Sequence, residues 1–177
     1  IAGDILDLSE IETGIASGLS RVAVEKLDLV GFDACLMATY EVAAAMANLA
    51  GYMVASEELE PGHGWNYQSL AILSGNRNIT GKDLGSAIAE GFQSQSQASD
   101  TDYDITLSVL DLTVFAELQT AIGNLLSPLL SDLIPTAPSV SRSLNLASRF
   151  GSSPNPAQNS HIVDLGNFVE GLDGIGM

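Results

Sequence analysis

The chain has 177 residues, 46% hydrophobic and 16% charged, a composition that folds and a length that suits one domain with a sizeable core. Six Lys and Arg against 22 Asp and Glu give a formal net charge of −16. Phosphate contacts need clustered cations, so this balance argues against nucleic acid and anionic membranes as partners, and it draws basic peptides or cations to the surface.

Ser9 and Glu12 form a capping-box pair opening a helix to about Ser20, weakened by Gly14 and Gly18. Residues 27–32 are a short apolar run and read as a strand buried on both faces. Residues 37–49, rich in Ala and Met, read as a helix, and 52–56 as a second strand. Residues 36–56 carry one charge, Glu41, but Asn48 and Gly51 interrupt them. A buried helix followed by a buried strand explains that run better than a membrane span. Residues 57–65 are a loop holding Pro61, Gly62 and Gly64.

Asn66 caps a short helix to about Ser74, and Thr80 with Asp83 boxes another that runs to about Gln95. Residues 105–112 alternate as a third strand. A helix over 113–126 is broken or kinked at Ser127-Pro128, and another covers 139–150. Residues 151–160 are a loop, and 161–165 are extended before a last helical segment. Strands alternating with helices predict an α/β fold, a mostly parallel sheet with helices on both faces, in one domain over 1–177. There is no internal repeat, no GxGxxG and no P-loop, and one Cys with two distant His gives no cluster at metal-ligand spacing.

Cys35 is the only cysteine. It is a small core residue, a reactive group or half of an intermolecular bridge. In open parallel sheets chemistry sits beyond the carboxyl ends of strands, and Cys35 lies three residues past residue 32. A helix beginning near Met37 would favour its thiolate, and the like charge of Asp33 would oppose it. A catalytic thiol needs an acid–base partner. The chain offers His63 and His161, each equally readable as a surface or core imidazole.

GFDACLMATYEVA followed by YMVASEELEPGHGW resembles the clostripain family of cysteine peptidases, relatives of caspases, legumains and gingipains. GDILDLSEIETGIASGL is similar to the helix before the cysteine strand there, and HIVDLGNF to a later segment. The resemblance implies a caspase-like α/β fold and a His–Cys dyad cutting peptide bonds, commonly after Arg or Lys. It implies Cys35 as nucleophile and Asp33 as an acid of the pocket for the basic side chain. Ser56 and Glu57 would wall that pocket, and His63 stands where some members place a second acid. Trp65 reads as a cleft residue or a core anchor.

The family's histidine lies on a strand preceding the first helix, and neither His63 nor His161 matches it. Two explanations stand: this is the cysteine-bearing subunit left by self-cleavage before Ile1, or the sequence is truncated. Either way the sheet is incomplete on its N-terminal side and the chain alone is expected to be inactive. Expected partners are peptide or protein substrates and the histidine-bearing N-terminal segment or chain. No cofactor is required; calcium activates some members, but no loop here shows a ligand pattern. The resemblance also implies a bacterial extracellular or cell-envelope location. The rival reading is a non-catalytic caspase-like binding or scaffolding module.

Overall fold

A computed structural model describes residues 6–153 and 155–173. The first residues of GDILD, the closing GIGM and Pro154 lie outside them. The chain divides into two compact units, Ile1–Phe115 and Ala116–Met177.

In the first unit, α1 (Leu8–Val22) is capped by Asp7, whose Oδ1 accepts the Glu10 N–H at 2.8 Å while Glu10 Oε2 accepts the Asp7 N–H at 3.0 Å. The capping box is therefore Asp7/Glu10, not Ser9/Glu12, because Asp7 already has the extended backbone of an N-cap. Strand β1 (Leu27–Gly31) leads into α2 (Tyr40–Met46) and then β2 (Ala50–Ala55). β1 and β2 are parallel, with Leu27 opposite Ala50 and Gly31 opposite Val54. α2 starts at Tyr40 rather than Met37. The N–H groups of Leu36 and Ala38 are committed to Glu58 and Ser56 carbonyls at 3.2 and 2.8 Å, so helix starts only after Thr39, which caps it.

After β2 the chain forms a 3-10 turn (Tyr67–Ala71), the short α3 (Ile72–Gly75) and the long α4 (Gly81–Ala98). Thr80 caps α4 by accepting the Asp83 N–H at 3.1 Å, as its sequence predicts. Strand β3 (Ser108–Asp111) then pairs antiparallel with β2, Ala55 opposite Ser108 and Tyr52 opposite Asp111. The sheet is thus mixed rather than mostly parallel. The turn and α3 carry the chain back to the start of the sheet, where Gly81 packs on the Asp28 carbonyl and the Tyr52 ring. α4 runs forward again, so β3 enters at the end of β2 and must descend.

The strand order is β1-β2-β3. β1 is an edge of this sheet, half-buried rather than buried on both faces. Helices cover both faces. On one, Met53 and Ala55 of β2 pack with Leu19 of α1 and with Val42, Ala43 and Met46 of α2. On the other, Val54 packs with Ile88 and Phe92 of α4 and with Trp65. This alternation along β2 is the pleat expressed as two cores.

In the second unit, α5 (Phe115–Ser131) continues through Pro128. Proline there lies in the last turn, where the missing N–H costs one ladder bond. Helix α6 (Leu133–Leu146) begins six residues before the expected 139, with Pro135 in its first turn, where its N–H would have no partner anyway. Arg149 and Phe150 leave the helix to form β4 (Arg149–Phe150), antiparallel to β5 (Ile162–Val163). α7 (Leu165–Asp173) packs on α6, with the Ser143 hydroxyl donating to the Phe168 carbonyl. No described helix is long and apolar enough to cross a membrane.

Candidate active site

The carboxyl ends of β1 and β2 continue as two loops that stay hydrogen-bonded to one another. Phe32 N–H donates to the Val54 carbonyl at 3.0 Å, and the bonds from Leu36 and Ala38 extend the ladder to residues 56–58. Cys35 is carried on the outer bend of this ladder. It is free and exposed. Leu36, just after it, takes φ 61°, a left-handed conformation costing ~1–2 kcal/mol for a residue with a Cβ. That turn presents Cys35 at the rim instead of among the aliphatic side chains below. The start of α2 lies five residues on, so the thiol does not sit at a helix N-terminus as expected.

Cys35 Sγ accepts the backbone N–H of Glu60 at 3.2 Å. The Cys35 N–H has no acceptor among the described residues. Asp33, two residues earlier, accepts the Trp65 backbone N–H at 3.2 Å and the Tyr67 hydroxyl at 2.8 Å. The Asp33 carboxyl packs on Gly64, whose φ is +64°, and a Cβ at Gly64 would sit 2.9 Å from Asp33 Oδ2. Glycine is required there on both grounds.

Trp65 is buried, and its ring covers Gly31, where an added Cβ would come within 2.9 Å of the indole. Its Nε1–H donates to Glu60 Oε1 at 3.2 Å. Trp65 is thus a core anchor whose indole also holds Glu60. Glu60 also hydrogen-bonds the Asp33 side chain. Burial, the largest cause, and Asp33 push its pKa up to about 7, against the lowering pull of the Trp65 indole. Asp33 raises the Tyr67 phenol as well, chiefly through their hydrogen bond.

The other expected wall residues face elsewhere. Ser56 is fully buried, its hydroxyl donating to the Glu58 carbonyl at 2.8 Å and lying 3.1 Å from Thr106 Oγ1. Glu57 is turned to β3, where its carboxylate accepts the Ser108 hydroxyl at 3.2 Å. Both hold the loop rather than line the space beside Asp33. His63 has Nδ1 at 2.7 Å from the Gly64 carbonyl and 2.8 Å from Gln95 Nε2, and Nε2 at 3.0 Å from Thr101 Oγ1. Its ring rests against Phe92 at 6.2 Å. His161 is exposed beside β5 with φ 61°. No histidine among the described residues hydrogen-bonds to Cys35.

Glu60 and Tyr67 are site residues that sequence reading missed. Glu60 was legible as the third acid of SEELEP, directly before the turn that brings Trp65 to Asp33. No group of three or more His, Cys, Asp or Glu among the described residues is placed to hold a metal ion.

The profile of the clostripain family, peptidase C11, matches residues 2–175. No curated protein matches the chain. Among solved structures, the fold is similar to a cysteine protease of B. fragilis (16% identity, TM-score 0.64), covering 99% of this chain and 68% of that one. It is similar to a clostripain of Bacteroides thetaiotaomicron in complex with the peptide inhibitor BTN-VLTK-AOMK (18%, TM-score 0.62), covering 98% of this chain and 72% of that one. It is also similar to a secreted C11 cysteine protease of the same species (20%, TM-score 0.66), covering 93% of this chain and 40% of that one. The chain thus spans between two fifths and about seven tenths of these relatives. With Asp-Ala-Cys at the end of a parallel strand, a caspase-like α/β arrangement and a profile match over almost its whole length, the chain belongs to the clostripain family of cysteine peptidases.

Proposed function

We propose that this chain carries the nucleophile and the side-chain pocket of a cysteine endopeptidase that cleaves after arginine or lysine. The observation behind it is the exposed Cys35 just past β1, its sulfur accepting the Glu60 backbone N–H, with the acid Asp33 two residues before it. Cys35 sulfur attacks the scissile carbonyl carbon, and its proton passes to an imidazole. The resulting oxyanion takes a hydrogen bond from the Cys35 N–H, and one such donor is worth ~3 kcal/mol of barrier. The imidazole returns the proton to the leaving amine as the C–N bond breaks. Water then hydrolyses the thioester.

The imidazole is supplied by a histidine-bearing segment or chain beyond these residues, because His63 has both ring nitrogens engaged elsewhere. A lysyl or arginyl side chain fits a carboxylate-lined recess by charge, and by bidentate bonding in the case of arginine. The lysine ending the VLTK inhibitor of the related clostripain supports that choice. The secreted relative supports an extracellular or cell-envelope location.

The test is hydrolysis of arginyl, lysyl and neutral reporters by the complete protein, histidine-bearing segment included. The basic reporters are expected to be preferred, and Cys35→Ala to leave under about 1% of the rate. Greater residual turnover overturns the nucleophile; preference for neutral side chains overturns the specificity.

A further inference from the structure

Glu60 touches both working parts of the site. Its backbone N–H donates to Cys35 Sγ at 3.2 Å, and its carboxyl accepts the Trp65 indole N–H at 3.2 Å and meets Asp33. Asp33 is held from the far side by the Trp65 backbone N–H and the Tyr67 hydroxyl. One tryptophan therefore clamps both acids, its main chain on one and its ring on the other. Two carboxyls in contact resist ionising together, so the pair retains a proton.

The proton belongs to Glu60. Asp33 accepts two hydrogen bonds, from Trp65 and Tyr67, whereas Glu60 is pushed up to about 7 chiefly by burial. The titratable groups facing Glu60 are Asp33, Tyr67 and, at its backbone, Cys35. His63, in the same loop, is turned to Gln95 and Thr101. No Lys or Arg among the described residues acts on Glu60.

Resting on the proposed peptidase reading, we propose that Glu60 is a specificity-determining residue that is protonated in the empty pocket and ionised when a guanidinium or ammonium group enters. The proton leaves to solvent as the cation arrives, so the pocket gains one negative charge only when a basic side chain fills it. Preference for basic residues then depends on the pair, not on Asp33 alone. It also depends on pH, because below the Glu60 titration the entering cation must expel a more tightly held proton.

The experiment compares kcat/KM for an arginyl reporter with that for its neutral isostere, citrulline, in the complete protein. The ratio cancels titrations of the thiol and the imidazole, which both substrates share. In the wild type it should rise about tenfold in all as pH is raised through neutrality, levelling off above about pH 7.5. In Glu60→Gln, which keeps an acceptor for Trp65, it should be about tenfold lower at pH 8 and flat. Iodoacetamide labelling of Cys35 and Trp65 fluorescence check that the variant is folded. A ratio in Glu60→Gln that matches the wild type in size and pH course overturns this inference while arginyl hydrolysis still upholds the peptidase reading. A flat wild-type ratio overturns it without need of the variant. Absence of arginyl hydrolysis overturns both.

Discussion

The backbone N–H of Glu60 points at the sulfur of Cys35 across 3.2 Å, joining two loops 25 residues apart in sequence. The two loops leave adjacent parallel strands, and the β1–β2 ladder continues into them through Phe32, Leu36 and Ala38. Backbone pairing thus sets the distance between nucleophile and pocket acid, and side chains refine it. Such a site is as rigid as the sheet edge that carries it.

Thr106 is where that rigidity can be probed. Its hydroxyl oxygen accepts the N–H groups of Glu57 and Glu58 at 2.9 and 3.1 Å and lies beside the Ser56 hydroxyl. Thr106→Val keeps the shape and removes the acceptor of the Glu57 N–H, while the Glu58 N–H retains the Ser56 hydroxyl at 3.1 Å. A loss of ~1–3 kcal/mol is expected, read from urea unfolding, together with a lower kcat/KM as the loop loosens. A stability change within about 0.5 kcal/mol would show that the loop does not depend on this bond.

The positions of the strands and of the cysteine were legible because each rests on local patterning. The apolar run from Leu27 to a glycine makes β1, and Asp-Ala-Cys follows at once. The direction of β3 was not legible. It depends on how many times the chain crosses the sheet between Ala55 and Ser108, and the turn at 67–71 with α3 supplies a crossing that no propensity records. The partners of Asp33 were hidden for a similar reason. Glu57 and Glu60 are both acids of one loop, and only the φ of Gly64 and the bend at Pro61 decide which faces Asp33. A hydroxyl beside an apolar strand reads the same in sequence whether it faces a ligand or, like that of Ser56, bonds its own loop.

Exposure of Cys35 makes a direct chemical prediction. The native protein should react with iodoacetamide at a rate within about tenfold of the urea-unfolded chain, since a solvent-facing thiol is not protected by folding. Mass spectrometry should find a single adduct, at Cys35. Native labelling slower by a hundredfold or more would place the sulfur inside the protein and remove it as a nucleophile.

His63 separates the proposed dyad from one built within this chain. With its ring tied to Gly64, Gln95 and Thr101, it acts on the loop rather than on sulfur. His63→Ala should cost less than about tenfold in kcat/KM, by loosening the turn that positions Trp65. Removing an essential acid–base partner costs about a hundredfold or more. A loss as large as that of Cys35→Ala would make His63 the base.

Glu60 finally predicts how stability changes with pH. Its pKa is raised from 4.5 to about 7 in the folded state, first by burial and then by Asp33. Between those values the folded protein binds more protons than the unfolded chain, so this group's contribution is complete below about pH 4.5 and lost as pH rises through about 7. Because the group is only partly buried, the loss is discounted to roughly 1–2 kcal/mol. Glu60→Gln cannot ionise and keeps the Trp65 contact. The difference in unfolding free energy between variant and wild type should therefore move in the variant's favour by that amount from pH 4.5 to pH 8. A pH-independent difference would mean that Glu60 titrates alike in the folded and unfolded chain, and would overturn the raised pKa.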